Sequence, residues 1–95
     1  MLGRHNVSAS AERFVGPFNA PVTVEIVSMT RVENNTPATM CWIWFDKESC
    51  RPGSAYPLEP GTKIEVDLDA GQELYAVTQS VGLLGFSVKG FRGTI

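Results

Sequence analysis

One histidine, two cysteines and a charged share of 19% leave this 95-residue chain with little of the equipment that catalysis uses. His5 stands in the polar stretch Met1 to Asn19, which Gly16-Pro17 interrupts, so no rigid element is predicted to hold it as a base. It reads as an exposed bystander. Cys41 and Cys50 with one distant histidine fall short of the four ligands of a zinc site. Their spacing would let them close a short loop, but a cytosolic origin favours thiols, with Cys41 as a small buried side chain. Walker-type and dinucleotide-type glycine spacings are both missing, and the nine glycines fall at turns and strand ends. Apolar runs stay well short of the roughly 20 residues needed to span a membrane. Met1 to Val15 carries Arg4, His5, Glu12 and Arg13 where a cleaved signal peptide needs an apolar stretch. The expectation is synthesis in the cytoplasm, with the triplets Asn6-Val7-Ser8 and Asn34-Asn35-Thr36 as chance matches to the glycosylation signal. No catalytic residue, cofactor site or metal site is assigned.

Positive charge is also scarce. A formal charge of −2 and an isoelectric point near 5.2 remove the electrostatic basis for binding nucleic acid. The charges that exist are segregated. Glu59, Glu65, Asp67, Asp69 and Glu73 face only Lys63 within their stretch, whereas Arg4 and Arg13 lie near the start and Lys89 and Arg92 near the end. A solvated acidic face explains this, and a surface for ordered subunit contacts is the alternative. Asp67 and Asp69 stand about 7 Å apart on one strand face, a spacing some glycosidases use. No apolar pocket is predicted there to raise one carboxyl pKa, so the pair reads as a solvated outer face.

What the chain does have is an apolar share of 43% and a mean hydropathy near zero, the composition of one small folded domain with a thin core. From Pro21 the pattern has period two: Val22, Val24 and Ile26 alternate with Thr23 and Glu25, blurring at Val27 and Met29, and Glu33 to Pro37 break the strand. Thr39 to Lys47 is the most apolar segment, with Met40, Trp42 and Trp44 on one face and Cys41, Ile43 and Phe45 on the other. One sheet side normally meets water, so this strand must be covered on its second face by the N-terminal stretch, a loop or another chain. A turn at Arg51 to Ser54 leads to a short edge strand, Ala55 to Leu58, limited by Pro57. A second turn at Glu59 to Thr62 precedes Ile64, Val66 and Leu68, which alternate with charged residues. Asp69 to Gln72 then turn the chain so that Glu73 to Gln79 should run back antiparallel. Ser80 to Gly85 reads as a connection and Phe86 to Phe91 as a closing strand. Five or six short strands without an amphipathic helix of ordinary length predict an all-β fold: one small antiparallel β-sandwich or barrel over residues 20–95. Met1 to Asn19 is read as an extended arm, with one turn of helix possible at Ser8.

Leu58-Glu59-Pro60-Gly61, the alternating strand behind it, and Gly71-Gln72-Glu73-Leu74-Tyr75-Ala76-Val77 followed by Phe86-Ser87-Val88 resemble small β-sandwich structural proteins of tailed bacteriophage virions. The resemblance covers about residues 58–91. It implies a head decoration (cement) protein or the shell-binding base of a head fibre, located in the virion. The Trp-rich strand and the connection at Ser80 to Gly85 depart from that pattern.

The expected function is therefore that of a non-enzymatic, homo-oligomeric shell component, with a trimer favoured and a major capsid protein as partner. Phe14, Val15, Phe18, Met40, Trp42 and Trp44 are its candidate contact residues. The alternative is a carbohydrate-binding or adhesion module in a phage fibre or cell-surface assembly, using Trp42, Trp44 and Tyr56 as a stacking platform. Tryptophans buried between subunits favour the first reading; tryptophans exposed in a groove favour the second.

Overall fold

The computed structural model describes residues 2–29, 40–79 and 82–91. Those residues form eight strands and no helix: β1 (Leu2–Val7), β2 (Glu12–Val15), β3 (Val22–Ser28), β4 (Cys41–Trp44), β5 (Tyr56–Leu58), β6 (Lys63–Leu68), β7 (Leu74–Thr78) and β8 (Gly82–Phe91). They build two four-stranded sheets of order β1-β8-β3-β6 and β2-β7-β4-β5, with every pairing antiparallel. An eight-strand sandwich with this order is a jelly roll. The expected all-β sandwich is the fold observed, and the barrel alternative drops out because neither sheet closes on itself.

The alternation that predicts β3 holds along its whole length. Val22, Val24, Ile26 and Ser28 are buried while the residues between them are half-buried, so the inner row meets the core and the outer row meets solvent. β6 supplies Leu68, fully buried, and Ile64 and Val66, half-buried, with Lys63, Glu65 and Asp67 exposed outside. From the opposite sheet come Cys41 and Ile43 of β4, Leu58 of β5, and Leu74 and Ala76 of β7. Two turns flanking β6 follow the chemistry read from the sequence. Gly61 and Gly71 hold φ of 84° and 85°, and Thr62 and Gln72 donate to the carbonyls of Glu59 and Asp69, each at 3.0 Å.

Three expectations need correction. Of the predicted arm Met1 to Asn19, the described residues 2–19 neither run as an arm nor start a helix at Ser8. Residues 2–7 pair with β8 and residues 12–15 with β7, so the stretch contributes one strand to each sheet. Its apolar residues belong to the core: Val7 is 2% and Val15 3% exposed, and Phe14 and Phe18 pack against them. Second, Asp69 to Gln72 do not close a hairpin. β6 pairs with β3 and β7 pairs with β2 and β4, so the turn carries the chain from one sheet to the other. Third, within the predicted connection at Ser80 to Gly85, residues 82–85 already belong to β8, which runs between β1 and β3. The predicted break at Glu33 to Pro37 and the residue Arg92 lie outside the described residues.

Two bulges shape the strands. In β2 the register steps from Arg13 opposite Tyr75 to Val15 opposite Leu74, leaving Phe14 as the extra residue. The bulge lets consecutive side chains, Phe14 and Val15, both turn toward the core. In β8 the extra residue is Lys89, whose Nζ lies 3.5 Å from a Glu25 carboxylate oxygen on the outer face.

Candidate functional site: an aromatic groove on the open side of the sandwich

Among the described residues each sheet has two free edges, and the fold gathers them into two sides. On one side lie β1 and β2, linked by the His5 ring stacked on Phe14 at 5.6 Å. On the other lie β6 and β5, and between them the sandwich is open. A groove of about 530 Å³ enters there, floored by Ile43 and Leu74 and walled by β6 from Ile64 to Asp67. Trp44, Phe45 and Tyr56 stand at its rim.

These three are the exposed large hydrophobic side chains of the described residues, at 38%, 38% and 50%. Trp44 and Phe45 meet edge to face with centroids 5.5 Å apart, a geometry that fixes their orientation. Their location follows from β4. Cys41 and Ile43 point inward, so Trp42 and Trp44 take the outer face; Trp42 is half-buried, opposite Pro57 and Val77. Trp44, at the end of the strand, remains exposed. The connection after β4 folds back so that the Cys50 thiol donates toward the carbonyls of Tyr75 (3.4 Å) and Trp42 (3.6 Å).

The candidate contact residues separate accordingly. Phe14, Val15 and Phe18 serve the core of this chain. Met40 is half-buried, and its carbonyl accepts from the Thr78 hydroxyl at 2.8 Å. Of the stacking trio, Trp44 and Tyr56 share the groove, while Trp42 lies outside its lining. Sequence reading overlooked Phe45, Ile64 and Val66 as groove residues. The available signal was that Ile64 and Val66 belong to a strand bearing three charges, as an exposed sheet edge does.

Polar groups in and around the groove are carboxylates and hydroxyls. Asp67 accepts from the Thr23 hydroxyl at 2.7 Å, and Glu65 is exposed beside it. Next to Leu74 of the groove floor, Glu73 accepts from the Tyr75 hydroxyl at 2.7 Å and pairs with Arg13 at 3.3 Å. The Tyr75 hydrogen bond, with Arg13 adding to it, holds the Glu73 carboxyl below its ordinary range. His5, read from the sequence as an exposed bystander, is half-buried and turned inward on β1. Its Nε2 is buried with no hydrogen-bond partner among the described residues. Cys41 and Cys50 are buried and not joined by a disulfide. No group of three or more His, Cys, Asp or Glu side chains among the described residues is placed to hold a metal ion.

A second, shallower depression of about 430 Å³ lies on the outer face of the first sheet, over Gly85. A Cβ on Gly85 would stand 2.7 Å from the Met29 sulfur, so the missing side chain makes room for that thioether. Arg4 and Glu25 border this depression. No family model, curated protein or solved structure matches the chain.

Proposed function

We propose that this chain is a non-enzymatic structural protein of a virus particle, an oligomeric decoration or cement component that stabilises a head shell. The observation that carries the reading is the rim of Trp44, Phe45 and Tyr56, three aromatic side chains that a single copy leaves open to water beside an apolar groove. Clustered exposed aromatics of this kind mark contact surfaces, because burying them against protein recovers the apolar area they expose. The jelly roll supports the reading by analogy, since viral capsid domains are among its known uses. The segment Leu58 to Phe91, which carries the resemblance to phage structural proteins, supplies β6 and hence one wall of the groove.

The test is co-sedimentation with head shells that lack this protein. Wild-type chain binds saturably, at a fixed number of copies per shell. Trp44→Ala and Tyr56→Ala each weaken binding by about tenfold, the effect of losing an aromatic anchor worth roughly 1 to 2 kcal/mol. Absence of binding by the wild-type chain contradicts the reading.

One observation favours a second reading, a carbohydrate-binding or adhesion module: in the single chain Trp44 is exposed beside a groove, the placement that a stacking platform requires. Trp44 and Tyr56 border the same groove as Glu65 and Asp67, so ring faces for the apolar side of a sugar stand near carboxylates that accept from its hydroxyls. Titration of tryptophan fluorescence with bacterial surface polysaccharides separates the two. Saturable quenching abolished by Trp44→Ala supports the module, and an unchanged signal supports the shell component.

A further inference from the structure

We propose that the groove is filled by a second copy of this chain docked head to tail, with β1 of one copy extending the first sheet at β6 of the next. This rests on the oligomeric reading above and deepens it by assigning both contacting surfaces. Strand direction permits the arrangement. β1 is antiparallel to β8, β8 to β3 and β3 to β6, so β1 and β6 run oppositely at the two ends of the sheet. A neighbour in the same orientation therefore presents β1 antiparallel to β6, and each strand is six residues long. The second sheet behaves alike, since β2 and β5 also run oppositely at its two ends.

Side chains select a register. On β1, Arg4 and Asn6 are exposed on the outer face while Gly3 and His5 turn inward; on β6, Lys63 and Glu65 are exposed while Ile64 and Val66 turn inward. Placing Arg4 of the neighbour opposite Glu65 sets its Asn6 opposite Lys63, and its Gly3 and His5 opposite Val66 and Ile64. The cation then meets a carboxylate across the strands, within reach for a cross-strand pair. Neither Arg4 nor Glu65 has an ion-pair partner among the described residues of its own chain. The inward residues of the incoming strand, with Phe14 behind His5, close over the groove wall at Ile64 and Val66. β1 is also the less guarded edge: it holds no proline and Arg4 as its one full charge, whereas β6 carries three charges and β5 carries Pro57. A contact of this type is heterologous and closes into a ring when its rotation allows.

Arg4→Cys and Glu65→Cys, introduced singly and together in the full chain, test the geometry by mild oxidation and non-reducing electrophoresis. The double variant should give a ladder of linked copies that neither single variant gives. As a second measurement, Arg4→Glu should weaken self-association in sedimentation by about tenfold, and Arg4→Glu with Glu65→Arg should restore it, the restoration showing that the reversed charges leave the fold intact. Two results overturn the head-to-tail contact while leaving an oligomer: a double variant that oligomerises but does not cross-link, or single variants that link to themselves. A wild-type chain that sediments as a monomer at high micromolar concentration overturns this inference and the oligomeric reading together.

Discussion

Ser28 and Cys50 show how differently two buried polar side chains act in this core. The Ser28 hydroxyl is buried and has no hydrogen-bond partner among the described residues. Removing it leaves no partner stranded, so Ser28→Ala is expected to leave thermal unfolding unchanged or to raise stability by up to about 1 kcal/mol. A clear loss of stability in a denaturant titration would mean that the hydroxyl is satisfied after all. Cys50 has carbonyl neighbours, yet burial pushes its thiol up to about 11 from an ordinary 9.0, with a backbone hydrogen bond from Trp44 opposing and the charge of Asp46 adding. Thiolate is the reactive form, so Cys50 should resist alkylation in the native chain at pH 8 and react promptly once the chain unfolds. The linkage has a definite sign. Between pH 9 and 11 the unfolded thiol loses its proton while the folded one keeps it. The Cys50 contribution to stability is thus present below pH 9 and lost as pH rises through that window. Urea midpoints of wild type and Cys50→Ala across the window measure it: the wild type should lose more stability on alkalinisation than the variant.

At the scale of the elements, the decisive residues are those of β1 and β2. β1 buries Val7 and pairs along its length with β8, and β2 places Phe14 and Val15 against the core. Deleting residues 1–7 is therefore expected to lower the midpoint of thermal unfolding by more than about 10 °C or to abolish cooperative folding, as loss of a strand from a thin core requires. Circular dichroism decides it, and a truncated chain that melts like the wild type would restore the arm reading. These strands were hard to read from the sequence for physical reasons. β1 carries Gly3, Arg4, His5 and Asn6, which have no strong strand preference, and the bulge at Phe14 breaks the alternation of β2. β3 and β6 were legible because one face of each meets the core and the other meets water, which writes period two into the residues. The failed hairpin between β6 and β7 has a different cause. Turn chemistry fixes the reversal at Asp69 to Gln72, but which sheet the next strand joins depends on pairings with β2 and β4, remote in sequence. Of the groove, Trp44 and Tyr56 were visible as aromatics. Phe45, Ile64 and Val66 joined them only once the two sheets were stacked.

For the whole molecule, the two sides of the sandwich differ in kind. The β1/β2 side is filled by the stacked pair His5 and Phe14, whereas the β5/β6 side is an open groove with an aromatic rim. On the function proposed above, protein covers this open side in the working assembly. Hydrogen exchange measured by mass spectrometry tests it most directly, comparing the chain at low concentration with the chain assembled on head shells. The prediction is that amides of Tyr56–Leu58 and Lys63–Leu68 exchange at least tenfold more slowly in the assembly, because edge strands are the first to open when unpaired. Unchanged exchange across both strands, with protection gained elsewhere, would contradict it.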